Sequence, residues 1–199
     1  MESIGFKEWS IVCEALGRGE QSIILRKGGI AEGREGFSFR YREFFLFPTW
    51  FHEQLEKVRG TSHVAENAQR PTPNAQRPMH RGMPTAGGSV MEISYAAQID
   101  IWRTITSWPI AEALEPLHTL KPEVIRERFD YDEAPGLRVA FLRIFRVIPV
   151  WTFPNEKRYG GCRSWVKLPD PPAGLRFEPA LTDDEHAKRR DTFLRIVGA

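Results

Sequence analysis

The segment from Leu137 to Val150 reads Leu-Arg-Val-Ala-Phe-Leu-Arg-Ile-Phe-Arg-Val-Ile-Pro-Val, and any fold for this chain must be built around it. A run so rich in aliphatic and aromatic side chains reads as a central strand with both faces covered. Other elements must therefore flank it and pack on both its faces. It nevertheless holds Arg138, Arg143 and Arg146, and an unpaired cation in apolar surroundings is costly. For Arg143 and Arg146 three resolutions are open. They emerge at a sheet edge, meet carboxylates such as Glu43 or Glu92, or face a ligand.

The N-terminal part supplies candidate neighbours. Phe6, Trp9, Val12, Cys13 and Leu16 recur at helical spacing, and Gly17 stands where a helix would stop, so residues 5–16 are expected to form an amphipathic helix with Cys13 on its core face. Ser22 to Arg26 reads as a buried strand, and Gly28-Gly29 as a turn reached without backbone strain. Phe37, Phe39 and Tyr41 alternate with Ser38, Arg40 and Arg42, the pattern of a half-exposed strand. Phe44 to Phe47 follows as another strand, and Thr49 is the expected N-cap of a helix reaching Val58, closed by Gly60.

Between Gly60 and Gly88 the composition changes. Asn67-Ala68-Gln69-Arg70-Pro71 returns as Asn74-Ala75-Gln76-Arg77-Pro78 amid Pro, Thr, Met and Gly. With few large apolar side chains this stretch cannot offset its ordering entropy by burial, so a flexible insertion over 60–89 is expected. Order resumes in a long strand from Val90 to Ile105. Helices follow after Pro109 and Pro122, the second with Val124, Ile125 and Phe129 inward and Glu123, Arg126, Glu127 and Arg128 outward. A strand is expected from Arg163 to Leu168, ended by prolines. Thr182-Asp183-Asp184-Glu185 is a capping box opening a last helix that runs to Val197.

Strands and helices mix without regular βαβ alternation, so the expected class is α+β: a mixed or antiparallel sheet core with flanking helices, interrupted by a disordered insertion. Residues 1–59 and 90–170 are expected to be two parts of one domain, because the first is marginal alone. Residues 171–199 form a Pro-rich connector and the terminal helix. With 28 basic and 26 acidic residues the net charge is +2, too small to imply a polyanion partner from bulk charge. Two cysteines indicate no disulfide framework, and neither a signal peptide nor a membrane span is evident. A soluble cytoplasmic protein is the expectation.

Three separated motifs carry a resemblance. They are Glu20-Gln21-Ser22-Ile23-Ile24-Leu25-Arg26-Lys27-Gly28-Gly29-Ile30, the Phe-Leu-Phe-Pro-Thr segment before Trp50 and His52-Glu53-Gln54, and Tyr159-Gly160-Gly161-Cys162-Arg163-Ser164-Trp165-Val166. Together they resemble the bacterial family known as domain of unknown function 1802, over roughly residues 5–58 and 90–168. The resemblance brings no reaction with it, and the cofactor is left unknown.

The candidate site residues fall into two groups. Arg26 and Lys27 beside Gly28 and Gly29 have the composition of an anion site, although the spacing excludes a phosphate-binding P-loop. With Arg143, Arg146, Tyr159, Arg163 and Trp165 they form the expected ligand-binding set, a cationic and stacking surface for RNA, DNA or a phosphate-bearing small molecule. The second group is Glu14, His52, Glu53 and Cys162, the candidates for a hydrolase or phosphodiesterase. Cys162 needs a general base, His52 and Glu53 lack the second histidine of a zinc-protease helix, and a nuclease-type Glu-x-Lys is missing after Ile23. No Cys and His spacing indicates structural zinc, and no metal is expected beyond a weak site that His52 and Glu56 could form on one helix face. A third expectation is an adaptor that binds another protein through its terminal helix.

Overall fold

A computed structural model describes residues 1–27, 37–50, 52–59 and 90–198, the side chains of residues 52–54 excepted. Gly28, Gly29 and the expected insertion over 60–89 therefore lie outside the described residues. The strands are β1 (Ile4–Trp9), β2 (Ile23–Arg26), β3 (Glu43–Thr49), β4 (Val90–Ile105), β5 (Leu137–Pro154), β6 (Trp165–Lys167) and β7 (Arg176–Pro179). The helices are α1 (Ser10–Gly17), α2 (Trp108–Ala113), α3 (Pro122–Phe129) and α4 (Asp183–Val197), with a 3₁₀ turn at His52–Lys57.

The fold is α+β, built on one mixed sheet in the order β2-β5-β4-β3-β1-β6. β5 is the central strand the sequence demanded. β4 runs antiparallel along one edge of it, from Val90 opposite Pro154 to Ile105 opposite Leu137. β2 and β7 divide its other edge, β2 pairing at 138–141 and β7 at 145–148. Two register shifts in the β4–β5 ladder, between Ile93 and Tyr95 and between Ile99 and Ile101, are the irregularities that bend a long ribbon. β3 pairs with β1 in parallel, the one parallel ladder among the described residues.

One apolar cluster joins Phe6, Ile23, Leu25, Phe44 and Phe141 to α1, α3 and α4, and a second gathers Phe45, Phe47, Trp151, Phe153, Tyr159 and Val166. The sheet is also curled. β2 and β1 stand four places apart in the hydrogen-bonding order, which in a flat sheet means roughly 19 Å. Yet the Arg26 side chain on β2 donates to the Lys7 carbonyl on β1.

Three expectations are corrected. Residues 5–9 are strand, not helix, and α1 begins at Ser10. Residues 37–41 pair with no strand among the described residues; their rings pack on Phe6 and Trp165, and the Ser38 carbonyl accepts from Trp165 Nε1 at 3.2 Å. The connector after Leu168 contains β7, whose four residues are all exposed and so show no burial pattern in sequence. The capping box at Thr182 and Glu185 is present as read.

Gly17 at the end of α1 shows how tightly the helix lies on the sheet. A Cβ there would penetrate the Tyr95 ring of β4, whose hydroxyl donates to Glu14 at 3.0 Å. Gly17→Ala is expected to destabilise by about 1–3 kcal/mol through overpacking. In a Tyr95→Ala background the sign should invert, because alanine is the better helix former by about 1 kcal/mol. Urea unfolding of the two single variants and the double variant measures this; the same loss in both backgrounds would mean the ring is not the obstacle.

Candidate functional site

β1 builds the floor of the site. Alternation along it turns Phe6 and Glu8 to the same face, and Glu8 is only 2% exposed. A buried carboxylate needs partners, and it has several. Its Oε1 accepts from the Trp9 backbone N–H at 2.8 Å, and its Oε2 lies 3.2 Å from Arg26 Nη2. The same Arg26 guanidinium sits over the Phe6 ring, 4.8 Å from its centroid. Its Nε is buried and finds no hydrogen-bond partner among the described residues.

A second guanidinium comes from α3. Arg128, expected to face outward, instead folds over the Trp9 ring at 4.6 Å and donates to the Leu25 carbonyl at 3.0 Å. Burial, above all, pulls its pKa down to about 10, with Glu8 opposing and the neighbouring Arg26 charge adding to the drop. It therefore stays charged at neutral pH. Among the described residues no carboxylate stands within ion-pair distance of it. The recess thus holds two arginines against one carboxylate.

Lys27 does not add to this surplus. It is paired with Asp132 at 2.9 Å and donates to the Phe129 and Ala134 carbonyls, fixing the loop after α3. The pairing holds the exposed Asp132 carboxyl below its usual range.

Beside the recess runs a row of rings. Trp165 meets Phe6 edge-on at 4.8 Å, so the indole and the Arg26 guanidinium share one phenyl ring. From Trp165 the row continues to Tyr41 at 5.1 Å and to Phe37 at 6.4 Å, then through Phe39 to Trp102. Trp102 is 49% exposed, and Phe39, Tyr41 and Trp165 are half-buried. Arg40 and Arg42 flank Tyr41, are exposed, and make no ion pair among the described residues.

Of the expected ligand set, then, Arg26 and Trp165 come together, with Lys27 adjacent but engaged. Arg143 and Arg146 do not join them. Arg143 pairs with Asp183 at the start of α4, not with Glu43 or Glu92, and Arg146 is exposed opposite Tyr95 on β5's paired edge. Tyr159 is buried between Phe47 and Phe153. Arg163 lies near Lys7, whose ammonium donates to the Gly160 and Gly161 carbonyls at 3.0 and 2.9 Å. Lys7 therefore links the two sequence motifs, its carbonyl bonded to Arg26 and its ammonium to the loop of Cys162.

The other candidates are dispersed. Glu14 is held by Tyr95, whose phenol burial, chiefly, pushes up to about 12. Cys162 is exposed and Cys13 buried, the latter thiol raised by burial and by Glu8. The His52 and Glu53 side chains are not among those described. His118 is buried, its pKa lowered to about 3 by burial and then by Arg59 and Arg128, so it is neutral. No group of three metal-ligating side chains occurs among the described residues. Nor is any helix there long and apolar enough to cross a membrane.

Glu8, Arg128 and Phe6 were the residues sequence reasoning missed. The available signal was the alternation of Ile4, Phe6 and Glu8 ahead of Trp9, which the helical spacing of Trp9, Val12, Cys13 and Leu16 overrode.

Comparison with known proteins places these residues inside one match. The family model described as domain of unknown function, DUF1802, matches residues 5–192. That span includes residues 60–89 and enters α4, further than the two stretches carrying the sequence resemblance. No curated protein matches. Among solved structures, ASCH from Zymomonas mobilis is similar at a TM-score of 0.41 and 10% identity, covering 95% of this chain and 93% of that one. A serine-to-alanine mutant of it gives 0.40 and 11%, with 94% of each chain covered. At that identity and score the likeness bears on neither ligand nor reaction.

Proposed function

The chain belongs to the family described as domain of unknown function DUF1802, and we propose that it binds a phosphate-bearing ligand, single-stranded nucleic acid, where the arginine recess meets the aromatic row. The observation that supports this reading is two arginines, Arg26 and Arg128, set against the single buried carboxylate of Glu8. The surplus charge attracts a phosphate, and half-exposed rings beside it offer faces on which unpaired bases stack. Arg40 and Arg42 extend the positive potential along the row.

Fluorescence anisotropy of a single-stranded oligoribonucleotide tests it. Each phosphate engaged contributes about −0.7 to the slope of log affinity against log salt, so a recess phosphate and one more on Arg40 or Arg42 give a slope near −1.4. Trp102→Ala removes a stacking face and should cost about 1–3 kcal/mol of binding. Because Trp102 is 49% exposed, its loss should move the unfolding free energy by no more than about 0.5 kcal/mol. A protein that binds no oligomer at low salt, or binds with an affinity indifferent to salt, would sink the reading. The hydrolase alternative gains nothing at Glu14, which is engaged with Tyr95.

A further inference from the structure

We infer that Arg128 is the cation that holds the ligand in this recess, and that Glu8 sets the recess to accept one negative charge, so that the group taken is an internal phosphodiester and not a terminal phosphomonoester. The inference rests on the nucleic-acid reading above and says which phosphate is recognised.

The charges decide it. Arg26 is matched by Glu8 at 3.2 Å and Lys27 by Asp132 at 2.9 Å. Arg128 is matched by no carboxylate among the described residues. Of its five N–H donors the described residues engage one, on the Leu25 carbonyl, and its lower face rests on Trp9. It is half-buried and held in one place by that ring and that carbonyl. Among the described residues the recess therefore has one uncompensated positive charge.

A phosphodiester brings one negative charge and cancels it. A phosphomonoester brings about 1.5–2 at neutral pH, and the excess would lie against the Glu8 carboxylate, which is 2% exposed and so poorly screened by water. Glu8 is thus both the structural partner of Arg26 and a discriminator against the more highly charged group. Trp165, set edge-on to the Phe6 ring that also carries Arg26, gives the neighbouring base a surface, as an internal position requires.

Three probes applied to the full chain at low salt test this: an oligoribonucleotide with a 5′-hydroxyl, the same oligomer with a 5′-phosphate, and AMP as competitor. The two oligomers should bind within about twofold of each other, and AMP should displace neither at about a hundredfold excess. Arg128→Gln should weaken both about tenfold or more. Glu8→Gln should create a preference of about tenfold for the 5′-phosphorylated oligomer. If the wild-type protein prefers the phosphorylated end tenfold, or AMP displaces the strand, the diester assignment is wrong while strand binding stands. If Arg128→Gln binds as tightly as wild type, Arg128 is not the anchor. If no oligomer binds, both this inference and the reading beneath it fail. Should Glu8→Gln not fold, the wild-type comparison of the two ends decides the diester assignment by itself; should Arg128→Gln not fold, Arg128→Lys, which keeps the charge and loses the planar fork, replaces it and should weaken both oligomers several-fold.

Discussion

Glu8→Ala is expected to lower the unfolding free energy by about 3–5 kcal/mol, the usual cost of breaking a buried ion pair from one side. The carboxylate is 2% exposed and serves Arg26 and the Trp9 N–H at once. Removing it leaves the two guanidiniums with no counter-charge among the described residues, where Arg26 already has a buried Nε without a partner. Glu8→Gln should lose less, because its amide oxygen still accepts from Trp9, so its difference from wild type isolates the charge and its difference from Glu8→Ala the hydrogen bond and bulk. The excess cation also makes stability ligand-linked. Inorganic phosphate should stabilise Glu8→Ala more than wild type, by RT ln(1 + [L]/Kd), whereas a general salting effect would raise both alike. Urea midpoints in phosphate and in chloride of equal ionic strength measure it. Equal midpoints for Glu8→Ala and wild type in chloride would show that Glu8 balances neither arginine.

How far this site could be read from the chain depends on which pattern each residue obeyed. β5 and β4 were legible because long apolar or alternating runs leave few readings, and α4 because Thr182 and Glu185 cap each other. β1 was not. Phe6, Trp9, Val12, Cys13 and Leu16 satisfy a helical period across a strand-to-helix junction at Trp9 and Ser10, so a local signal was true for half its length and misapplied to the rest. Glu8 then vanished from view, since an inward carboxylate on a strand resembles an outward one on a helix. Arg128 was hidden differently: its position on α3 is polar by pattern, and only the Trp9 ring and the Leu25 carbonyl, distant in sequence, draw the guanidinium inward. Arg143 met its carboxylate, but from α4. Sequence pattern assigns a residue to an element and a face; which long side chains cross between elements is settled by tertiary contacts.

Phe6→Ala should be as damaging to stability as the loss of Glu8, about 3–5 kcal/mol for a large aromatic removed from a packed core. Phe6 is fully buried and its ring meets Phe37, Phe44 and Trp165 at 5.8, 5.3 and 4.8 Å. It also carries the Arg26 guanidinium. The distinguishing expectation concerns binding. Phe6 lies beneath the ligand surface and would touch no base or phosphate, yet without it both Arg26 and Trp165 lose the ring that fixes them. Affinity for a single-stranded oligomer should therefore fall even at temperatures where the variant is folded. Phe193 provides the matched comparison: it is equally buried, packs on Phe141 at 5.5 Å, and belongs to α4 away from the recess. Phe193→Ala should give a similar shift in the unfolding midpoint and leave oligomer affinity within about twofold of wild type. If the two variants lose affinity equally, the effect is general loosening of the core. If Phe6→Ala alone loses it, the recess and the aromatic row work as one surface, held in register by the phenyl ring between them.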